Sequence, residues 1–436
     1  MRPYPSYKDS GVEWIGEIPN HWTKKNLKYS FNIQKGKIPK ETFDEPNESS
    51  LPYLSMDVLR GNTTPQYCDI SDGVRVNNKD LLILWDGSKS GEILYGNDGI
   101  LSSTMSKMDL IDSNLEKPFC YYLLKYYERD FQYNTVGMGI PHMDGDHLKF
   151  SKLIIPPLPE QKQIISFLDH KTQKIDELIE NTEQKIELLK EKRTSLINHC
   201  VTKGLNPNVE MKDSGDEWIG EIPSHWEVKR VKYLLNDFDG IKIGPFGSSL
   251  KLDTLTDNGI KVYGQGNIIK DDFKLGHRYL PLDRFEEDFT QYEILDGDVL
   301  VTMMGTTGKS KMFSSSYERG ILDSHLLRLR FSKSKFSSHL FSILLEQSDY
   351  VFQQLKLSSK GSIMEGLNSS IIKEIKVLTP PIGEQDRLLE YLDEQTQKID
   401  STIEKETQRI ELLKEYRQSL ISEVVTGKID VRDWKE

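Results

Sequence analysis

Cysteine is scarce in this 436-residue chain. Cys68, Cys120 and Cys200 lie far apart with no CxxC or Cys/His ligand spacing, which leaves neither a disulfide framework nor a zinc site and reads as buried or idle thiols. No apolar run approaches the length of a membrane span, and the opening "MRPYPSYKDS" carries no signal region, so a cytoplasmic protein is expected. Catalytic motifs are missing too. "GTTGKS" at 305–310 lacks the first glycine of a phosphate-binding loop, because position 303 is Met303, and "GPFGSSLK" at 244–251 fails the same spacing. There is no nucleophile elbow, no HExxH, no Asn/Asp-Pro-Pro-Tyr loop and no glycine-rich dinucleotide fingerprint. The carboxylates are many but scattered, so the chain reads as non-catalytic, with no metal or cofactor of its own.

What is present is a repeat. "KDSGVEWIGEIPNHW" at 8–22 returns as "KDSGDEWIGEIPSHW" at 212–226, and "PPLPEQKQIISFLDHKTQKIDELIENTEQKIELLKEKRTSLI" from 156 returns as "PPIGEQDRLLEYLDEQTQKIDSTIEKETQRIELLKEYRQSLI" from 380. A length of 436 residues already suggests two or three domains. The order of cassette, filling and long segment, twice over, makes them two halves of one plan.

The long segments read as helices, since prolines punctuate each start and neither Gly nor Pro interrupts 160–203. Their apolar residues follow a 3,4 spacing: Leu168, Ile175, Ile179, Ile186, Leu189 and Leu196 in the first, Leu392, Ile399, Ile403, Ile410, Leu413 and Leu420 in the second. The stripe is imperfect at Thr182, Glu406, Arg193 and Arg417. Two matched stripes of such length, about 60 Å each at ~1.5 Å per residue, need a partner, and each other is the economical choice. An antiparallel pairing would place one filling at each end of a rod, related by an approximate two-fold axis.

The fillings, 23–155 and 227–379, share sparse landmarks: "LLILWDGSKSG" at 81 answers "DVLVTMMGTTG" at 298, and "GILSSTMSKM" at 99 answers "GILDSHLLRLR" at 320. Each landmark reads as a strand, a Gly/Ser/Thr loop and another strand, so one fold is expected to carry different loops. Net charge is −11, yet 23–155 holds 16 Lys plus Arg against 18 Asp plus Glu, and 227–379 holds 21 against 20. The excess acid therefore sits in the repeated frame. Basic clusters in the fillings (Lys24, Lys25, Lys28, Lys35, Lys37 and Lys40; Lys229, Arg230, Lys232, Arg328, Arg330, Lys333 and Lys335) are free to face an anionic partner.

The Trp cassette and the Pro-Pro-x-x-Glu-Gln helix start, both in duplicate, together with "GPFGSSLK", "GQGNI", "GILSS" and "GILDSH", resemble the DNA-specificity subunits of type I restriction-modification systems along the whole chain. The resemblance implies an α+β chain with an internal pseudo-two-fold repeat, in which two α/β target-recognition domains are separated by two long antiparallel coiled-coil helices. On this chain that gives 1–155 as the first recognition domain, 156–204 as the first spacer helix, 205–379 as the second domain and 380–436 as the second spacer.

It implies recognition of a bipartite, asymmetric site in double-stranded DNA, one domain to each half. Two modification subunits would bring S-adenosylmethionine and adenine methylation, and restriction subunits would bring ATP and Mg. The frame is then duplicated because two identical partners dock on it. Trp14, Trp22, Trp218 and Trp226, with Ile15, Ile18, Ile219 and Ile222, are expected to pack the domains against the helices. For DNA contact the expected residues are polar ones in the loops: Lys35, Lys37, Ser88, Lys89, Ser102 and Ser103 in the first filling, and Ser248, Ser249, Lys251, Gln265, Asn267, Thr306, Thr307 and Lys309 in the second. Each is also a natural turn residue. A coiled-coil scaffold without a DNA role, a standalone enzyme, and a related system in which modification and cleavage share one chain are the alternatives.

Overall fold

The computed structural model describes residues 2–137, 139–245, 249–251, 254–358 and 367–435. The chain divides into two compact units, Met1–Glu183 with Thr407–Glu436, and Gln184–Glu406. Each unit is β-rich, and each includes part of both long helices, Leu158–Lys203 and Ile382–Val425. Among the described residues no helix is long and apolar enough to cross a membrane.

In the first unit the main sheet has the strand order Phe31–Lys35, Met105–Leu110, Leu81–Leu84, Ile93–Tyr95, all antiparallel. In the second unit the order Ile241–Ile243, Leu326–Leu329, Val299–Thr302, Ser310–Met312 repeats it. Each unit has a second sheet, four-stranded in the first and three-stranded in the second, built on one parallel pair, Ser50–Leu54 with Gly99–Leu101 and Ile260–Tyr263 with Gly320–Leu322. The strands in the two landmark pairs are thus the same strands of one fold. Leu81–Leu84 and Val299–Thr302 are buried at every position, which is why they lack the polar alternation of a surface strand.

The duplicated cassettes form hairpins, Tyr7–Asp9 against Glu17–Pro19 and Met211–Asp213 against Glu221–Pro223. Gly16 and Gly220 turn with φ near +70°, a region that side chains avoid. Trp22 and Trp226 are fully buried, as are Ile15, Ile18, Ile219 and Ile222, while Trp14 and Trp218 are exposed. Trp14 rests on Tyr126 and Tyr127 of its domain, with ring centroids 5.2 and 4.9 Å away, and Trp218 faces the same cleft as Thr194, Asn198 and Thr202 of the first long helix.

The two duplicated motifs meet each other. In the first unit Glu160 accepts from Trp22 Nε1 at 3.2 Å and from the Tyr4 hydroxyl, and pairs with His21 Nε2 at 2.9 Å. Burial, and then Glu160 itself, pushes the Tyr4 phenol well above its usual pKa, so it stays a donor. Gln161 stitches the helix start to the domain, accepting from Glu116 N at 2.9 Å and donating to Asn114 and Pro156 carbonyls. In the second unit Glu384 pairs with His225 Nε2 at 2.8 Å, and Gln385 accepts from Ser337 N at 2.8 Å and donates to the Pro380 carbonyl. Each helix ends at a left-handed glycine against a cassette tryptophan: a side chain on Gly427 would meet Trp22, and one on Gly204 would meet Trp226.

The two long helices pack together, and within each unit their segments run antiparallel. In the second unit Lys185 pairs with Glu406 and Arg193 with Asp400, at 2.5 and 2.8 Å, so one number rises as the other falls. In the first, Gln163 donates to the Arg432 carbonyl, beyond the second helix, and Arg417 pairs with Asp176 at 2.9 Å. The polar breaks in the stripe are therefore cross-helix clasps at three of four positions, and the fourth, Thr182, donates to its own helix at the Leu178 carbonyl. Leu168, Ile175, Ile186, Leu392, Ile399, Ile410 and Leu420 are buried, whereas Ile179, Leu189, Leu196, Ile403 and Leu413 are half-buried. Toward the ends the stripe widens, with Ile164, Phe167, Ile197, Leu388 and Ile421 buried where each helix meets a domain core. All three cysteines are buried.

Candidate nucleic-acid interface

In an antiparallel sheet, alternate strands begin and end on the same side. In the first unit Lys35 lies opposite Ser106, and Leu84 opposite Met105, so the chain leaving at Gly36, leaving at Trp85 and entering from Thr104 shares one end of the sheet. Main-chain hydrogen bonds fix these loops: Gly36 N to Met105 O at 2.9 Å, Trp85 N to Thr104 O at 2.8 Å, Met143 N to Trp85 O at 2.7 Å and Ser102 N to Leu54 O at 3.2 Å. The second unit repeats them, with Gly244 N to Leu326 O at 3.1 Å, Met303 N to His325 O at 3.1 Å, Leu367 N to Met303 O at 3.0 Å and Asp323 N to Tyr263 O at 2.9 Å. Glycine is required at the tightest crossing in both, since a Cβ would come 2.1 Å from Ser102 O at Gly36 and 1.9 Å from Asp323 O at Gly244.

The side chains on this shared backbone differ. In the first unit Asp86 bridges Lys35, at 3.1 Å, and His142 Nδ1, at 2.6 Å, and the Lys35 ammonium stands 5.8 Å from the centre of the Trp85 ring. In the second unit Arg278 pairs with Asp323 at 3.0 Å, the other Asp323 oxygen accepts from His325 N, and Gln265 Oε1 accepts from Met304 N at 3.1 Å. Both sets combine donors, acceptors and charge on loops with a rigid base. That is the chemistry direct readout of base edges uses, with cations beside it for phosphates.

The residues singled out from sequence fall into three groups. Lys35, the last residue of its strand, and Lys37, Ser88 and Lys89, on the first unit's loops, are exposed, and Gln265, Thr306, Thr307 and Lys309 lie on or beside the second unit's, with Thr307 and Gln265 half-buried. Thr302, not chosen from sequence, shapes that last loop by donating to Thr306 O and accepting from Lys309 N. Ser249 and Lys251 are exposed on the chain that follows Gly244, and Ser248 lies outside the described residues. Ser102 and Asn267 are buried and belong to the scaffold, and Ser103 is half-buried. Asn267 accepts from Gly264 N and donates to the Asp272 and Leu275 carbonyls, which occupies its whole amide in holding a turn.

Most of the basic clusters are not free faces. Lys25 pairs with Asp112, Lys40 with Asp72, Arg230 and Lys232 with Glu374, Lys229 with Glu227 and Lys335 with Asp237. Arg328 is buried and pairs with Asp239, while Arg330 pairs with Asp239 and Asp298. Burial, followed by the neighbouring Arg330, lowers the pKa of Arg328. Trp85, Asp86, Thr104, His142, Arg278, Asp323 and His325 were missed by reasoning from sequence. Five of them lie inside the aligned landmarks at 81, 99 and 320, so loop position was the signal that could have found them.

One β-rich frame used twice with different loops, carried on two paired helices, defines a duplicated recognition scaffold. The family model for the type I restriction modification DNA specificity domain matches residues 19–188 and 225–414. The chain belongs to that family, and it is a specificity subunit, the non-catalytic member of a type I restriction-modification complex. It is 29% identical over 426 residues to the type I restriction enzyme MjaVIII specificity subunit of Methanocaldococcus jannaschii, covering 95% of each chain. It is 22% identical to the EcoBI specificity subunit of Escherichia coli, over 98% of this chain and 90% of that one.

Among solved structures, a chain from a study of assembly and conformational transition of the type I R-M system matches with a TM-score of 0.68 at 14% identity, covering 94% of this chain and 99% of that one. The HsdS subunit from Thermoanaerobacter tengcongensis matches with a TM-score of 0.51 at 15% identity, over 94% and 98% of the two chains. These likenesses show the fold.

Proposed function

We propose that this chain recognises a bipartite, asymmetric site in double-stranded DNA, residues 1–155 reading one half and residues 205–379 the other. The observation that carries the reading is the matched set of loop hydrogen bonds, 36 to 105, 85 to 104 and 143 to 85 against 244 to 326, 303 to 325 and 367 to 303, under side chains that do not match. A common backbone with unlike side chains is what two readers of two different half-sites need.

The spacer segments, 156–204 and 380–436, hold the readers apart, and with the cassettes they give two modification subunits equivalent places to dock. Those partners hold S-adenosylmethionine and methylate adenine; restriction subunits supply ATP- and Mg-dependent translocation and cleavage. The 0.68 match to a chain from a study of type I complex assembly supports such partners. The excess acid in the repeated frame keeps DNA off the docking surfaces. Co-expression with the modification subunit of its own system, followed by equilibrium binding to genomic fragments, tests this. A split sequence enriched only when this chain is present supports the reading, and enrichment without it refutes the reading.

A further inference from the structure

Two large aliphatic side chains stand in water where the first unit would read DNA. Ile38 is 78% exposed and Ile140 is 62% exposed, with Val136, 50% exposed, beside the latter on the same loop. Single exposed apolar residues are ordinary. These are tied to one ionic bridge. Lys35, three residues before Ile38, and His142, two after Ile140, both pair with Asp86. The loop that carries Ile140 is closed at its base by reciprocal Val136 and His142 main-chain hydrogen bonds at 2.9 and 2.8 Å, and Gly87 N holds the Pro141 carbonyl at 2.9 Å. Both isoleucines are therefore presented outward from anchored loops. Both are mostly exposed, and Lys35, Lys37 and Lys89, also exposed, lie on the same strand end and loops with charge complementary to phosphate.

We infer that the first unit uses Ile38 and Ile140 to read the 5-methyl group of thymine in the major groove of its half-site. Thymine is the unmodified base that presents an aliphatic group there, and a branched aliphatic side chain is its natural contact. The inference rests on the proposed function, which places DNA on these loops, and it adds the base chemistry. In the second unit the position equivalent to Asp86 is the exposed Met304, and the inference concerns the first half of the site.

The test uses the full chain in complex with its modification subunits and a duplex bearing the recognised sequence, with thymines replaced one at a time by deoxyuridine. At one or more positions of the first half-site, loss of the methyl group weakens binding about three- to fivefold, the worth of one buried methyl. In Ile140→Ala or Ile38→Ala the same replacement has no further effect, while both variants bind the deoxyuridine duplex about as well as the unaltered chain. That match also shows the variants are folded. A half-site without thymine on either strand, a duplex series with no sensitive position, or a uracil penalty undiminished in both variants overturns the inference. If the unmodified site is not preferred over a scrambled duplex, the proposed function itself falls. If it is preferred and only the uracil series is flat, the thymine contact alone falls.

Discussion

Replacing Glu160 by alanine is expected to cost far more than the same change at Glu384, although the two occupy the same place in the repeated Pro-Pro-x-x-Glu-Gln motif. The Glu160 side chain is almost wholly buried and receives Trp22 Nε1, the Tyr4 hydroxyl and His21 Nε2. Removing it leaves the indole and phenol donors buried without their acceptor, at about 1–3 kcal/mol each, and takes away a carboxylate paired with His21, so a total of about 3–5 kcal/mol is expected.

Glu384 serves His225, which is half in solvent, and among the described residues Trp226 Nε1 has no hydrogen-bond partner to lose. Its removal is expected to cost about 1 kcal/mol or less. At ~2–4 °C per kcal/mol for a unit of this size, Glu160→Ala lowers the melting temperature of the first unit by at least about 6 °C, against at most about 4 °C for Glu384→Ala in the second. Differential scanning calorimetry reads the shifts, and hydrogen exchange assigns them. Protection should fall over 2–22 and 156–165 in the first variant and stay near normal over 212–226 in the second. Equal losses, or a larger loss at Glu384, would refute the reasoning that the carboxylate, and not the helix start as such, holds the tryptophan joint.

Two further outcomes follow from packing. Arg328 is more deeply buried than Arg330, yet Arg330→Met is expected to destabilise the second unit more, by about 3–5 kcal/mol against about 1–2 for Arg328→Met. The reason is Asp298, which is buried and receives both Arg330 contacts at 2.8 and 2.7 Å, whereas Arg328 approaches it only to 3.9 Å; urea titration of the two variants decides the order. Adding one heptad within 176–196 and one to the facing stretch of the second helix lengthens each by about 10 Å, and the non-specific spacer of the recognised sequence is then expected to grow by about three base pairs. An active variant with an unchanged spacer would show that the helices do not set the distance.

The helices and the repeat were legible in the sequence because both rest on periodicity, which survives divergence: the 3,4 stripe named seven residues that the structure buries, from Leu168 to Leu420. The shared strands were legible through the landmarks at 81, 99, 298 and 320, which are short apolar runs bounded by glycine. The loops of the candidate interface were legible in the sequence, and which of their residues the fold buries was not. Ser102 and Asn267 look identical in sequence to surface turn residues, and only the long-range approach of Gly36, or the carbonyls of Asp272 and Leu275, marks them as scaffold. The basic clusters failed for a related reason. Lys25 and Asp112 are 87 positions apart, and Arg330 and Asp239 are 91 apart, so local charge counts saw the cations without their partners. Asp86 and His142, 56 positions apart, were hidden in the same way.

The most direct test of two readers on one scaffold is a methylation map. Residues 23–155 are exchanged for the equivalent filling of a specificity subunit with a different target, and adenine methylation is read across the host genome by single-molecule sequencing in the presence of the modification subunit. The account predicts a split motif in which one half is new while the other half and the spacer are those of the unaltered chain. A motif changed in both halves, or in neither, would contradict it.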